Sequence, residues 1–203
     1  MKNARKTQTN EDFLLDRRTA VPAVIGEPSD FLIISGLSGA ARDIGHLTEG
    51  APNTYLLGGA MGAAASMGLG LALAQPEKRV LIVSGDGEFL MNVSSLATIG
   101  HMRPSNLAML CIDNGRYGET GNQESHTYRT ADLAAIARGS GIDVTLTVRS
   151  EDQFEQAARV LRSASGPAFV VLRVNDGAPA DYARNFDAVE TKANFRRALL
   201  AGY

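Results

Sequence analysis

The chain has 203 residues, 44% apolar and 21% charged, which suits one large α/β domain with a buried core. Its net charge of −2, with no basic block, argues against nucleic acid or an anionic membrane surface as a partner. The lone cysteine, Cys111, sits in an apolar run, so neither a disulfide framework nor a cysteine metal cage is available.

In chain order, the polar stretch 1–18 lacks the apolar core of a secretory signal, and a cytoplasmic protein is expected. A helix is expected before the first strand, "FLIIS" at 31–35, and another at 38–48. The run "LLGGAMGAAASMGLGLALA", 56–74, carries no charge over nineteen residues, close to a bilayer-spanning length. Its Gly, Ala and Ser content drives it weakly into lipid, and it ends at the turn "QPEKR". A helix over 59–75, buried against a sheet or a ligand, is the better reading. Small residues at 58, 62, 66 and 70 put one bare face along it.

"RVLIVS" (79–84) then reads as a strand, 88–101 as a helix, and "NLAMLCI" (106–112) as a strand. A helix over 130–139, a strand at 143–148, a helix over 151–164 capped by Ser150, a strand at 168–174 and a short helix near 190–200 complete the series. The strands are continuous apolar runs, as expected when both faces are covered. Their alternation with helices predicts an α/β fold: a doubly wound, mostly parallel sheet with helices on both faces. One domain over 1–203 is expected, with loose ends at about 1–10 and 176–188.

Sheets of this kind bind ligands beyond the carboxyl ends of their strands. Asp86 in "SGDGE" and Asn114 in "DNGRYGETG" lie 28 residues apart, about one strand–helix–strand unit of roughly 30 residues. Both therefore fall just past the ends of consecutive strands, which lie about 4.8 Å apart. A carboxylate and an amide carbonyl there suit a hard cation such as Mg²⁺, which keeps room for water and phosphate oxygens. Gly85 and Gly87 let backbone approach a phosphate at the start of the next helix. Taken singly, Gly-Asp-Gly is also an ordinary turn with a capping Asp, and Asn-Gly an ordinary turn signal.

The pair "GDG…DNG" resembles the metal- and diphosphate-binding motif of thiamine diphosphate enzymes. Residues 58–99 are similar to the diphosphate-binding domain of 2-oxo acid decarboxylases, in particular the small-subunit sulfopyruvate and phosphonopyruvate types. "SGLSGAARDI" (35–44) and "NGRYGETGNQESHT" (114–127) extend the likeness to about residues 30–175. The resemblance implies that Asp86, Asn114 and the main-chain carbonyl of Arg116 bind Mg²⁺. It implies that Ser35, Gly36, Gly87 and Glu88 lie along the diphosphate of thiamine diphosphate, Ser35 donating from its hydroxyl and the others from backbone N–H, with Gly85 beside them in the cofactor site. Met61, 25 residues before Asp86, would sit beneath the cofactor and bend it. The Gly59 carbonyl would accept from the aminopyrimidine, and Tyr117 and Gly118 would shape the nearby loop. His126 stands as a proton donor or acceptor, or as a surface histidine. Relatives of this type tend to read Gly-Gln-Pro-Thr where this chain has "NQESH" (122–126), and Glu119 replaces a small residue; these positions bear on which 2-oxo acid is used.

In the family a glutamate on a separate pyrimidine-binding domain activates the cofactor. One sheet occupies nearly all of this chain, so the resemblance implies a diphosphate-binding (beta) subunit. A pyrimidine-binding (alpha) subunit would supply that glutamate, with helix 59–75 and loop 114–127 as contact surfaces. The alternatives are an acetolactate synthase-like carboligase subunit, an NAD-binding dehydrogenase, for which "SGLSGAARD" is only a partial fingerprint, and a non-catalytic relic of the fold.

Overall fold

A computed structural model describes residues 13–202; the expected loose end at 1–10 lies outside them. The elements are α1 (Arg17–Ile25), β1 (Leu32–Ser35), α2 (Ser38–Thr48), β2 (Thr54–Leu56), α3 (Ala63–Ala74), β3 (Val80–Gly85), α4 (Asp86–Met91) and α5 (Ser94–Met102). They continue with β4 (Leu107–Asp113), β5 (Arg116–Tyr117), β6 (Gln123–Glu124), α6 (Leu133–Gly139), β7 (Val144–Val148), α7 (Phe154–Ser163), β8 (Ala168–Arg173) and α8 (Ala188–Leu200). Six strands form one sheet in the order β2-β1-β3-β4-β8-β7, and every neighbouring pair is parallel.

The apolar strands are buried on both faces because alternate residues feed two cores. Ile34, Ile82, Met109, Cys111 and Phe169 point into a cluster with α3, α5, α6 and α8. Ile33, Leu81, Leu110 and Val170 point into a second cluster with α1, α2 and α7. Cys111, mid-sheet in β4, is fully buried, and burial pushes its thiol well above the ordinary range. This is the doubly wound sheet expected, and among the described residues no helix is long and apolar enough to cross a membrane.

The helices expected at 59–75 and 88–101 differ from the expectation in three respects, each for a local reason. The helix expected from 59 starts at Ala63, because Ala60 and Gly62 adopt left-handed φ of +54° and +85°. The helix expected over 88–101 breaks between Met91 and Ser94. Asn92 leaves the helical path, and its side-chain amide donates to the Gly62 carbonyl at 3.0 Å. The bare face at 66 and 70 is exposed, whereas the close approach to the sheet is made by Gly68, where a Cβ would collide with Ile82.

The chain runs from β1 outward to β2, then crosses back to β3 on the other side of β1. The direction of winding therefore reverses between β1 and β3, and the ends of these strands open a crevice, the usual ligand position in such sheets.

Candidate active site at the carboxyl end of the sheet

A cavity of about 640 Å³ lies over that reversal, within the range of small-molecule sites. Its walls come from the first turn of α2, the start of α4, Met61, the ends of β3 and β4, and the β5–β6 hairpin. Of the residues singled out from the sequence, Met61, Gly85, Asp86, Gly87, Glu88, Asn114, Arg116, Tyr117 and Gly118 line it. Ser35, Gly36, Gly59 and His126 do not.

Asp86 is 1% exposed at the start of α4. The hydroxyls of Ser125 and Thr127 both donate to its Oδ2, the latter at 2.8 Å. Burial raises its carboxyl above the ordinary carboxylate range, opposed by these two hydroxyls. The register of β3 on β4 pairs Gly85 with Ile112, so the next residues abreast are Asp86 and Asp113, with Asn114 one step further. Asp113 is fully buried; its Oδ1 accepts from the Gly115 N–H at 3.0 Å and lies 2.8 Å from Thr127 Oγ1, whose single proton the two carboxylates share. The buried Arg173 guanidinium lies 3.0 Å from Asp113 Oδ2. Burial first, and then the Asp86 charge, push the Asp113 carboxyl up to about 7. Asn114 Oδ1 accepts from the Arg116 N–H at 3.1 Å, which fixes the amide at the bend into β5.

Glu88 is buried one turn into α4, and burial raises its carboxyl. Its Oε2 accepts from Ser84 Oγ at 2.8 Å and from the Leu37 N–H at 3.0 Å, while Oε1 has no partner. A Cβ on Gly36 would collide with this carboxylate, so glycine there makes room for Glu88.

The expectation that the Gly36 N–H faces a diphosphate is corrected: it donates to the Val83 carbonyl at 2.7 Å, inside the sheet. Ser35 is likewise enclosed, its hydroxyl unpartnered at 0% exposure. The free donors come three residues later. Ser38, Gly39 and Ala40 open α2 without a side-chain cap, so their N–H groups have no intrahelical acceptor, and all three residues line the cavity. Arg17, 5% exposed, joins this wall. Its Nε donates to Asp43 Oδ2 at 2.8 Å, and its guanidinium packs where a Gly39 side chain would stand, 2.5 Å from a Cβ there.

His126 is exposed, and the residues flanking it, Ser125 and Thr127, reach Asp86 instead. Sequence reading missed Asp113, Ser125, Thr127, Arg173 and Arg17. The hydroxyl pair flanks His126 at the start of a 3-10 turn, and its approach to Asp86 is set by the hairpin before it rather than by a sequence pattern.

Residues 36–172 match the family model "Thiamine pyrophosphate enzyme, C-terminal TPP binding domain". The chain belongs to the thiamine pyrophosphate enzymes. Thiamine pyrophosphate enzyme relatives include the sulfopyruvate decarboxylase subunit beta of Methanococcus maripaludis, 34% identical over 185 residues, covering 90% of this chain and 95% of the relative. The subunit of the same name from Methanocaldococcus jannaschii is 43% identical over 125 residues, 62% of this chain and 65% of that relative. Phosphonopyruvate decarboxylase of Streptomyces viridochromogenes is 34% identical, and the match spans 86% of this chain but 46% of that longer protein. A solved structure from Mycobacterium smegmatis, described as thiamin diphosphate-dependent, superimposes with a TM-score of 0.67 at 20% identity, over 80% of this chain and 32% of that one; it shares the fold. Membership in the thiamine pyrophosphate enzymes decides against the dinucleotide-binding alternative.

Proposed function

We propose that this chain is the diphosphate-binding subunit of a thiamine diphosphate- and Mg²⁺-dependent decarboxylase acting on a small 2-oxo acid of the sulfopyruvate or phosphonopyruvate kind. A pyrimidine-binding subunit would complete the site and supply the activating glutamate. The observation that carries the reading is a buried carboxylate, Asp86, at the floor of the switch-point cavity, beside Asn114 on the adjoining strand end. The names of the relatives support the decarboxylase and the second subunit. A cytoplasmic setting suits the unpaired Cys111.

The donors fit the groups they would hold. Among the described residues no cluster of three His, Cys, Asp or Glu side chains forms a metal cage, and Mg²⁺ favours few protein oxygens completed by water and phosphate. Ser125 and Thr127 both bond Asp86 Oδ2, so Oδ1 would serve the cation, with Asn114 Oδ1 and the Arg116 carbonyl beside it. The N–H groups of Ser38, Gly39 and Ala40, with those of Gly87 and Glu88, would take the diphosphate, and Arg17 adds a fixed positive charge. Met61, which also lines the cavity, would support the cofactor's rings. Thiamine diphosphate, when bound, supplies the electron sink that lets carboxylate leave as CO₂. The chain's own part is to clamp, orient and shield.

Thermal unfolding of the full chain with thiamine diphosphate and magnesium, together and singly, tests the reading. The midpoint is expected to rise only with both, to rise further with a pyrimidine-domain subunit, and not to respond to NAD. Asp86→Ala should abolish the rise. An unchanged rise in that variant, or none in any mixture, overturns it.

A further inference from the structure

After β8 the chain crosses the carboxyl ends of the strands to reach α8, which packs Phe195 against Tyr55 of the edge strand β2, ring centres 5.8 Å apart. This crossing strap has no regular secondary structure but is tied down along its length. The Asn175 N–H donates to the Leu15 carbonyl, Arg18 donates to the carbonyls of Ala178 and Pro179, and the Ala180 N–H donates to Asp43 Oδ1 at 2.9 Å. Tyr182 packs where a Gly45 side chain would be.

Two contacts then join the strap to the cavity's hairpin wall. Asp176 Oδ2 accepts from the Asn122 amide at 2.6 Å. Further along, the Arg184 guanidinium pairs with Glu119, at the hairpin tip beside Tyr117 and Gly118. Arg184 is only 10% exposed in its side chain, and it stacks 4.9 Å over the Phe186 ring. Phe186 in turn abuts Gly58, where a Cβ would stand 3.3 Å from the ring. Gly58 begins the loop that carries Met61. Arg184 and Phe186 thus connect the hairpin to the loop that carries Met61, and both Met61 and the hairpin line the cavity.

We infer that Arg184 is a positioning residue: through Glu119 on one side and Phe186 on the other, it holds the Tyr117–Asn122 loop and the Gly58–Met61 loop at one spacing. What the spacing serves, retention of thiamine diphosphate, rests on the reading above; the latch itself does not. It also gives Glu119, a departure from the family pattern, a defined partner.

Hydrogen exchange on the full chain tests it. The Thr120 and Asn122 N–H groups both bond the Tyr117 carbonyl, so their exchange reports the loop. Arg184→Ala is expected to speed exchange there about fivefold, the yield of one partly exposed ion pair, with β3 and β4 unchanged. Arg184→Lys should fall between, and the charge swap Glu119→Arg with Arg184→Glu should restore slow exchange. In the complex with a pyrimidine-domain subunit, the half-saturating thiamine diphosphate concentration should rise about fivefold in Arg184→Ala, at unchanged kcat, and recover in the swap. Wild-type exchange at 118–122 in Arg184→Ala, or equal acceleration in β3 and β4, overturns the latch. Loss of cofactor-dependent protection at 85–88 in the wild type would sink the cofactor reading, while ligand-free exchange still decides the latch.

Discussion

Thr127 has one hydroxyl proton and three oxygens at 2.8 Å: Asp86 Oδ2, Asp113 Oδ1 and Ser125 Oγ. It stands between two buried carboxylates whose other donors are Ser125 on Asp86 and the Gly115 N–H and Arg173 on Asp113. Thr127→Val keeps the shape and removes the proton; it is expected to cost the metal-free chain roughly 0.5–1.5 kcal/mol, the net worth of one hydrogen bond, since Ser125 and the Gly115 N–H still serve the two oxygens. Thr127→Ser should recover most of it. Equal denaturation midpoints for Thr127→Val and the wild type would show that the hydroxyl does not hold the pair apart. Asp86 and Asn114 were legible in the sequence because one crossover unit has a characteristic length, which fixes where strand ends recur. Asp113 was not, because spacing alone does not say which residue of "DN" stands abreast of Asp86; the register does. Ser125 and Thr127 lie 39 and 41 residues from the carboxylate they touch, brought there by a hairpin that no periodicity announces.

At the scale of elements, α3 shows two uses of glycine in one helix. Gly68 lets the helix lie against Ile82, whereas a Cβ on Gly70 would meet nothing within 4 Å. Gly68→Ala is expected to destabilise by about 1–3 kcal/mol, since the helix or Ile82 must shift. Gly70→Ala should stabilise the isolated chain by up to about 1 kcal/mol, through helix propensity alone. Chemical denaturation of both variants checks the pair, and shifts of the same sign would refute the assignment of faces. Of the five longer strands, four could be read from apolar runs, while β7 alternates threonine with apolar residues. β2 could not, because its three residues, Thr54–Leu56, are too few to show a pattern. The helix starts and the break at Asn92 were set by left-handed backbone and by a side-chain bond to Gly62, both tertiary in origin.

Across the whole molecule, the sheet gathers what the sequence scatters. The α2 turn, the α4 start, the hairpin and the C-terminal strap come from four separate stretches, yet all meet at the reversal between β1 and β3. The fold class followed from alternating strands and helices, but the strap's course over the strand ends is a long-range matter that composition does not encode. One consequence concerns Cys111, two residues before Asp113 and sealed in the middle of β4. Its thiol is both inaccessible and hard to ionise in the native state, so alkylating reagents should modify it only when the central strands part. The protein therefore carries its own clock for unfolding: labelling followed by mass spectrometry should proceed at the rate of that rare opening, and magnesium with thiamine diphosphate should slow the clock. Rapid labelling of the native chain, at the pace of a free thiol, would mean the middle of the sheet breathes far more than its packing suggests.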